Sequence, residues 1–370
     1  MSYVAVVPRS GQAAQGSSTN EPWYEEMTLR LIKTLPLTLA GLLALAVPSA
    51  FAGGECCTRG SLAAAGAPDS VWSLQLQYDY SSMKTIREGK KSVTPDEVLD
   101  NQLMSGAMKY SVPTKMVMQK YLLVANYKPV DSWRVTATLP YLVNDMDMLM
   151  AMKNDMGMAM KSGGPMDRVQ GLGDATIGAL YTLIAPAKNA EGWDMALGLG
   201  LKMPTGKNDV KHAGSDINVH AMMQPGTGSW DPIFMLQGGR AAGKLDLRFN
   251  GVYHLGIRGD EGYEYGNMLG IDAVARYRAT GAVRIGLGLN FLNTGKDTDH
   301  DGKYTSPTSM IDTTDNTGLT ALYLTPELQL AVPGTGGSFS IAFQQPIYQK
   351  VNGIQQVMDW RVLASVGWAF

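Results

Sequence analysis

The chain has 370 residues, with 31 lysines and arginines, 33 aspartates and glutamates, and a formal net charge of −2. This balance excludes the strongly basic surface that nucleic-acid binding requires. The two cysteines, Cys56 and Cys57, are adjacent, which excludes a disulfide framework and the ligand spacing of a structural zinc site.

The first part of the chain has the features of a secretory signal peptide. From Met27, a positive segment with Arg30 and Lys33 precedes an apolar run over 35–47, and a small-residue cleavage pattern ends at Ala52. The apolar run is too short to span a bilayer as a mature helix. We predict a non-native N-terminal extension over 1–26, a signal peptide over 27–52, a periplasmic segment over 53–70 and the folded domain over 71–370. For 1–26, a genuinely extended positive segment is the alternative.

Beyond the signal peptide, apolar and polar residues alternate with the period of β-strands. In VWSLQLQYDY, Trp72, Leu74 and Leu76 point to one face, and Gln75 and Gln77 point to the other. The pattern recurs in WRVTATLPY, DATIGALYTL, WDMALGLGLKM, KLDLRFNGVYH, MLGIDAVARYR, AVRIGLGLNFL, SFSIAFQQ and DWRVLASVGWAF. With further segments near Tyr121, Phe234 and Leu328, the sequence predicts twelve strands.

The connections between these strands alternate in length. Short turns are followed by longer connections at about 81–115, 143–170, 204–229, 256–266, 293–317 and 349–355. Short turns at one end, long loops at the other and an even number of strands are typical of bacterial outer-membrane barrels. The sequence therefore predicts an all-β protein, a single transmembrane antiparallel up-and-down β-barrel surrounded by outer-membrane lipid. A soluble secreted β-sandwich explains the alternation but not the loop asymmetry.

Aromatic residues at the ends of the apolar faces favour the membrane barrel. They are Trp72, Tyr80, Trp133, Tyr141, Trp193, Tyr253, Tyr277 and Trp368, and they predict two interfacial belts. The chain ends at Phe370, with Trp368 and Val366 on the same face of the last strand. A terminal aromatic residue of this kind predicts recognition by the outer-membrane assembly machinery.

Four stretches carry a resemblance to a known family: GLGDATIGALYTL at 171–183, GLGLKMPTGKND at 198–209, PGTGSWDPIFMLQGG at 225–239 and YLTPELQLAVPG at 323–334. Their content and order are similar to the phenol meta-pathway degradation-associated family of outer-membrane transporters, over roughly 120–370. The resemblance implies a barrel that takes up or exports small molecules, often aromatic, and it supplies no catalytic residues. The common enzyme motifs are missing from the sequence, so we predict no enzyme.

Charged residues occupy the polar faces of the predicted strands, which line the barrel interior. These residues are Asp174, Lys202, Asp246, Arg248, Asp272, Arg276, Arg284 and Glu327. One interpretation is a ladder that selects polar or charged solutes. The other is that opposite charges pair and partly plug the lumen, as in a structural or adhesive barrel.

The segment NDMDMLMAMKNDMGMAMKSGGPMD, at 144–167, is predicted as an extracellular loop rich in methionine. Thioethers are soft, uncharged ligands that favour Cu(I) and Ag(I). The candidate ligands are Met146, Met148, Met150, Met152, Met156, Met158 and Met160, with His212 and His220 from the next long loop. The alternative is an adaptable apolar segment that packs over the barrel mouth as a gate for hydrophobic ligands. No cofactor is required in either case.

A second candidate ion site lies at 297–308, in DTDHDGKYTSPT. Asp297, Asp299 and Asp301 precede Gly302 with the spacing of the first half of a calcium loop. The twelfth position is Thr308 rather than glutamate, so the bidentate ligand is missing. Weak calcium binding and a solvated acidic turn are the two interpretations.

These features together predict an outer-membrane channel for a small solute. Handling of copper or silver by the methionine-rich segment is the sharper hypothesis. Passage of hydrophobic or aromatic compounds is the alternative.

Overall fold

The computed structural model describes residues 70–185 and 192–370. The predicted N-terminal extension, the signal peptide and residues 53–69, including both cysteines, lie outside the described residues and stay predictions. Within the described part of the chain, no helix is both long and apolar enough to cross a membrane.

Twelve strands form the main wall of the described structure. They are β1 (Trp72–Glu88), β3 (Lys109–Val130), β4 (Trp133–Lys153), β7 (Ala175–Ile184), β8 (Gly192–Met203), β9 (Asp231–Ala242), β10 (Leu245–His254), β12 (Met268–Arg278), β13 (Val283–Thr294), β15 (Leu319–Val332), β16 (Gly337–Val351) and β17 (Ile354–Ala369). Shorter elements lie in the long connections: β2 (Lys91–Val93), helix α1 (Pro95–Met104), β5 (Ala159–Pro165), β6 (Val169–Leu172), β11 (Tyr263–Glu264), β14 (Thr298–Asp299), and 3-10 turns at Ala221–Met223 and Thr314–Asn316.

The wall strands pair antiparallel with their neighbours in the order β10-β12-β13-β15-β16-β17-β1-β3-β4-β7-β8-β9. The strands at the two ends of this order, β9 and β10, are joined by a tight turn at Gly243, whose φ of 56° suits glycine. Leu255 N also donates to Pro232 O at 3.0 Å, at the other end of this hairpin. The prediction of a closed, twelve-stranded antiparallel barrel is confirmed.

The wall places polar residues inside and apolar residues outside, the reverse of a soluble protein. In β1, Gln75, Gln77 and Asp79 are buried. Leu74 and Leu76, which alternate with them along the strand, are 40% and 49% exposed. A continuous apolar outer surface of this kind is stable against lipid rather than water.

Aromatic residues mark both edges of this apolar surface. At the short-turn end, Trp72 stacks on Tyr127 with ring centroids 4.3 Å apart. At the long-loop end, Tyr80 stacks on Trp360 with ring centroids 5.3 Å apart. Phe370 exchanges two backbone hydrogen bonds of 2.9 Å with Trp72, so the chain ends at the short-turn belt. Recognition of Phe370 by the assembly machinery stays a prediction.

The methionine-rich segment is not the irregular loop that the sequence predicts. Strand β4 continues without interruption to Lys153, and β5 returns beside it with Met160 opposite Met152. On its other side, β4 remains paired with β3 as far as Lys109. The physical reason is that methionine at every second position is itself a period-two pattern, which continues the strand beyond the membrane.

Because the outer face of the wall is apolar, a charge placed on that face should lower the free energy of unfolding. Leu76 lies halfway between Trp72 and Tyr80, the aromatic residues at the two ends of the apolar face of β1. We expect Leu76→Arg to lower the free energy of unfolding in lipid vesicles by about 2–4 kcal/mol, as measured by denaturant titration. Ile217→Arg, in an exposed long loop, is the matched control and should change it by less than about 0.5 kcal/mol. Equal effects of the two variants would contradict the membrane position of β1.

Candidate functional site

The interior between the two aromatic belts is lined by charged side chains that pair along the wall. Arg361 Nε donates to Asp79 Oδ1 at 2.6 Å, and both side chains are 2% exposed. Arg276 Nε donates to Glu327 Oε1, linking β12 to β15. Burying a charge costs free energy unless it is paired, so these partners make the buried charges tolerable.

Further polar groups extend this network around the wall. Arg248 Nε donates to Asp246 Oδ1 and Arg248 Nη1 to Asp194 Oδ2, both at 2.6 Å. Asn290 Nδ2 donates to Asp272 Oδ1. The Asn290 side-chain oxygen accepts in turn from Gln344 Nε2 at 3.0 Å. One set of bonds joins side chains of β8 and β10, and another joins side chains of β12, β13 and β16.

A second charged network joins the motif stretches near the long loops. Lys202 Nζ lies 3.6 Å from Asp174 Oδ2 and forms a close ion pair with Asp231, and all three side chains are at most 1% exposed. Thr227 donates to Asp174 Oδ2 from both its backbone N, at 2.8 Å, and its hydroxyl, at 2.6 Å. His254 Nε2 lies 3.2 Å from Asp231 Oδ2. The network therefore ties the β8–β9 connection to the inner wall.

The structure thus places seven of the eight predicted lumen residues in paired networks. The remaining one, Arg284, is half-buried and lies opposite Gln329 of β15. Of the two sequence interpretations, local pairing describes these seven residues better than a ladder of free charges. Sequence reasoning missed Asp231 and Thr227, although both lie within PGTGSWDPIFMLQGG, one of the stretches that carry the family resemblance.

The interior near the long loops is apolar and rich in methionine. Its buried residues are Met83, Met116, Met118, Met146, Val169, Val219, Met223, Met268, Leu292, Leu319, Ala321, Tyr323, Val351, Val357 and Met358. We call this group the methionine cluster. Met116, Met118, Met268 and Met358 are among the members that the sequence alone does not single out, because they lie on elements distant along the chain. The signal that could have identified them is methionine on the inward register of several strands.

The predicted metal ligands divide between this cluster and the surface. Met146 is buried within the cluster, Met148 packs against it, and Met150 is half-buried. Met152, Met156, Met158 and Met160 are between 51% and 78% exposed at the tip of the β4–β5 hairpin. The structure therefore does not bring the seven predicted methionines into one site.

The two predicted histidine ligands lie close together, and one of them already has an acidic partner. The rings of His212 and His220 are 6.0 Å apart between centroids. His220 Nδ1 is paired with Asp312, and the His220 side chain is buried. Metal binding by this pair stays a prediction.

The three aspartates of the predicted calcium loop are engaged by separate donors. Asp297 accepts from the Tyr263 hydroxyl at 2.7 Å and from Gly266 N at 2.8 Å. Asp299 accepts from Gly302 N at 2.9 Å, and Asp301 pairs with Arg258 at 2.6 Å. Among the described residues, no three histidines, cysteines or carboxylates are grouped as a metal site. Calcium binding stays a prediction.

Within the described residues, the ladder between β16 and β17 is interrupted beside the methionine cluster. The β16–β17 ladder runs from Gly337 opposite Trp368 to Gln344 opposite Arg361 and then ends, although both strands continue. We call the unladdered region the side opening. Two side chains bridge it: Gln345 Nε2 donates to Asp359 O at 3.0 Å, and Gln349 Nε2 donates to Met358 O at 2.8 Å.

A groove of about 370 Å³ lies at the side opening. It is lined by residues of β1, β16 and β17, among them Arg87, Trp360 and Met358. Met358 also belongs to the methionine cluster, and Trp360 belongs to the aromatic belt at the long-loop end. The groove therefore lies where the cluster, the wall and the membrane surface meet.

Comparisons with known proteins agree with this architecture. The sequence profile described as "Putative MetA-pathway of phenol degradation" matches residues 101–334. The chain belongs to this family. It is accordingly one of a family of outer-membrane β-barrel transporters, located in the bacterial outer membrane. A search of curated proteins finds no match.

Three solved structures are similar to this chain to different degrees. An outer membrane channel from Pseudomonas putida F1 is 12% identical, with a TM-score of 0.54 over 85% of this chain and 100% of that chain. A Pseudomonas aeruginosa FadL homologue is 10% identical, with a TM-score of 0.42 over 88% of this chain and 99% of the homologue. The P. putida toluene transporter TodX is 8% identical, with a TM-score of 0.37 over 82% of this chain and 91% of the transporter. The first likeness shows a shared fold.

The Arg361–Asp79 pair predicts a strongly non-additive effect of mutation. We expect Arg361→Ala to lower the free energy of unfolding by about 3–5 kcal/mol, because it leaves Asp79 buried without its cation. The double variant Arg361→Met with Asp79→Leu should recover most of that loss, because it removes both charges. Denaturant titration of the single variants Arg361→Met and Asp79→Leu and of the double variant measures the coupling. Additive effects would contradict a paired, buried site.

Asp297 predicts a pH dependence of loop stability. Burial raises the pKa of Asp297 to about 6, while Gly266 N and the Tyr263 hydroxyl oppose the shift. A carboxyl group whose pKa is raised in the folded state favours folding when it carries a proton. This contribution to folding stability is fully present below the unfolded-state pKa near 4, and it is lost as the pH rises through the folded-state pKa of about 6. Between pH 4 and pH 7, the free energy of unfolding of wild type should decrease. The decrease should be about 2–3 kcal/mol larger than that of the Asp297→Asn variant. Identical pH profiles of the two proteins would refute this assignment.

Proposed function

We propose that this protein is a channel for small apolar solutes, which pass through the methionine cluster and leave or enter at the side opening. The observation that carries the proposal is the division of the interior into an apolar, methionine-rich part and a part whose charges are mostly paired. A solute that moves through the first part meets thioether and aliphatic groups. It does not have to displace the ion pairs between the aromatic belts.

Methionine suits this role because its unbranched side chain has three rotatable bonds and a polarisable sulfur. Leucine and valine in the same positions would hold one packing arrangement more firmly. The seven buried methionines of the cluster come from β1, β3, β4, β12, β17 and the 3-10 turn Ala221–Met223. A solute could therefore be accommodated by rotation of side chains, without movement of the wall.

The side opening supports an apolar solute for a different reason. An apolar molecule is more soluble in the acyl region of a bilayer than in water. Trp360 borders the groove at the level of the aromatic belt, and Ile347 beside it is 55% exposed on the outer face. A path between the cluster and this groove lets the solute exchange with lipid and avoid the aqueous side of the barrel.

A second candidate function is soft-metal capture by the hairpin. Met152 and Met160 are directly opposite in the β4–β5 ladder, and both are exposed. Cross-strand neighbours of this kind have Cβ atoms about 4.5–5.5 Å apart, within reach of a shared Cu(I) or Ag(I) ion. Met156 and Met158 lie at the same tip. This function is compatible with a channel below it.

Uptake of radiolabelled toluene by cells that express the protein tests the channel proposal. Expression should raise the uptake rate several-fold above that of cells with an empty vector. Met268→Gln keeps the length of the side chain but makes the methionine cluster polar, and we expect it to remove most of the gain. Met310→Gln is the matched control, because Met310 is equally buried in a different cluster under the long loops.

The side opening is tested in the same assay. Gln349→Trp removes a bridging amide and fills the opening from its buried side, so uptake should fall several-fold. Tyr277→Trp places an indole at an exposed position of β12 that does not line the groove, and it should leave uptake unchanged. Heat-modifiable migration on gels confirms that each variant is folded in the membrane. Uptake equal to the empty vector in wild type would indicate a plugged structural barrel instead.

A further inference from the structure

Four methionines lie side by side on four adjacent strands. In the strand register, Met83 of β1 is opposite Met116 of β3 and also opposite Met358 of β17. Met116 is in turn opposite Met146 of β4. The series Met358, Met83, Met116 and Met146 therefore crosses β17, β1, β3 and β4 at one level of the barrel. We call it the methionine row.

All four side chains of the row point into the barrel and are buried. Their exposed fractions are between 0% and 3%, and all four belong to the methionine cluster. Residues directly opposite in an antiparallel sheet have Cβ atoms about 4.5–5.5 Å apart. A thioether sulfur lies two bonds beyond Cβ on a flexible chain, so sulfurs of adjacent members can approach a common point.

The chemistry of the row differs from that of an ordinary apolar core. Thioethers are soft, neutral ligands, which select Cu(I) and Ag(I) over hard divalent ions. The carboxylates next to the row in sequence have partners of their own. Asp359 accepts from the Thr85 hydroxyl at 2.6 Å, and Asp145 pairs with Arg168 at 2.7 Å. A monovalent soft ion would therefore meet sulfur ligands without a competing carboxylate in the row.

The inward face of β4 connects the row to the outside. Met146, Met148, Met150 and Met152 occupy every second position and so share one face of the strand. Their burial decreases along the strand, from Met146 inside the methionine cluster to Met152, which is 51% exposed. The strand thus presents a thioether at each step from the exposed hairpin tip to the buried row.

We propose that Met83 and its neighbours in the row Met358, Met83, Met116 and Met146 form a binding site for a monovalent soft metal ion, Cu(I) or Ag(I), inside the mouth of the barrel. Adjacent thioethers share the ion, because the two ends of the row are three strand spacings, about 14 Å, apart. The site is distinct from capture at the exposed hairpin. It also goes beyond transport of apolar solutes, because leucine can replace the apolar character of methionine but not its sulfur.

Silver binding by the purified protein in detergent micelles tests the proposal, since Ag(I) is stable to oxidation. The row variant carries Met→Leu at positions 83, 116, 146 and 358, a change that nearly conserves side-chain volume. The hairpin variant carries Met→Leu at 152, 156, 158 and 160. Titration calorimetry and the amount of silver retained after gel filtration give affinity and stoichiometry for wild type, each variant and their combination.

We expect the row variant to lose one equivalent of silver, or to bind it at least 100-fold more weakly. The hairpin variant should retain that equivalent. Silver binding that is unchanged in the row variant, or missing from wild type, would overturn the proposal. Silver binding is measured on the purified protein without any transported solute, so its outcome does not depend on whether the channel proposal holds. Heat-modifiable migration on gels confirms that the row variant is folded.

Discussion

A barrel wall in lipid must satisfy every backbone N–H and C=O group within the wall, because the surrounding solvent offers no hydrogen bonds. This constraint explains why the β16–β17 interruption is bridged and not left open. Pro346 has no N–H group to donate, and the β15–β16 register shifts beside it, between Leu322 and Tyr323. The Gln345 and Gln349 side chains then supply donors to carbonyl groups of β17. A side-chain amide can rotate away from its acceptor without breaking a ladder, so this part of the wall can open at low cost.

The same constraint determines the polarity of the interior. Once the outer face is apolar, alternation directs every polar side chain of a strand inward, where burial requires partners. Between the aromatic belts the partners are opposite charges, such as Arg361 with Asp79. Near the long loops the inward residues become apolar, and the few charges left there are those around Lys202, which hold the β8–β9 connection. The two parts of the interior therefore differ in what they can admit.

The sequence predicts the wall well, because alternation and membrane belts are local patterns. It predicts the residues that face inward for the same reason, as Asp174 and Lys202 illustrate. It does not predict which inward-facing residues contact one another. The position of Met83 opposite both Met116 and Met358 depends on register shifts in β1 around Met83 and Thr85, and such shifts leave no signature in composition. The prediction of a loop over 144–167 is wrong, because β4 and β5 cover most of that segment.

Methionine at the mouth of the barrel satisfies two demands that are usually separate. A packed interior that must admit a solute needs side chains that can change rotamer without leaving cavities, and methionine does this better than branched residues. A soft-metal site needs sulfur donors whose separation can adjust to the ion, and the same torsional freedom provides it. Flexibility alone would be served by methionines scattered through the cluster. Their placement directly opposite one another on four successive strands is a stricter arrangement, and only the sulfur chemistry gives that arrangement a function.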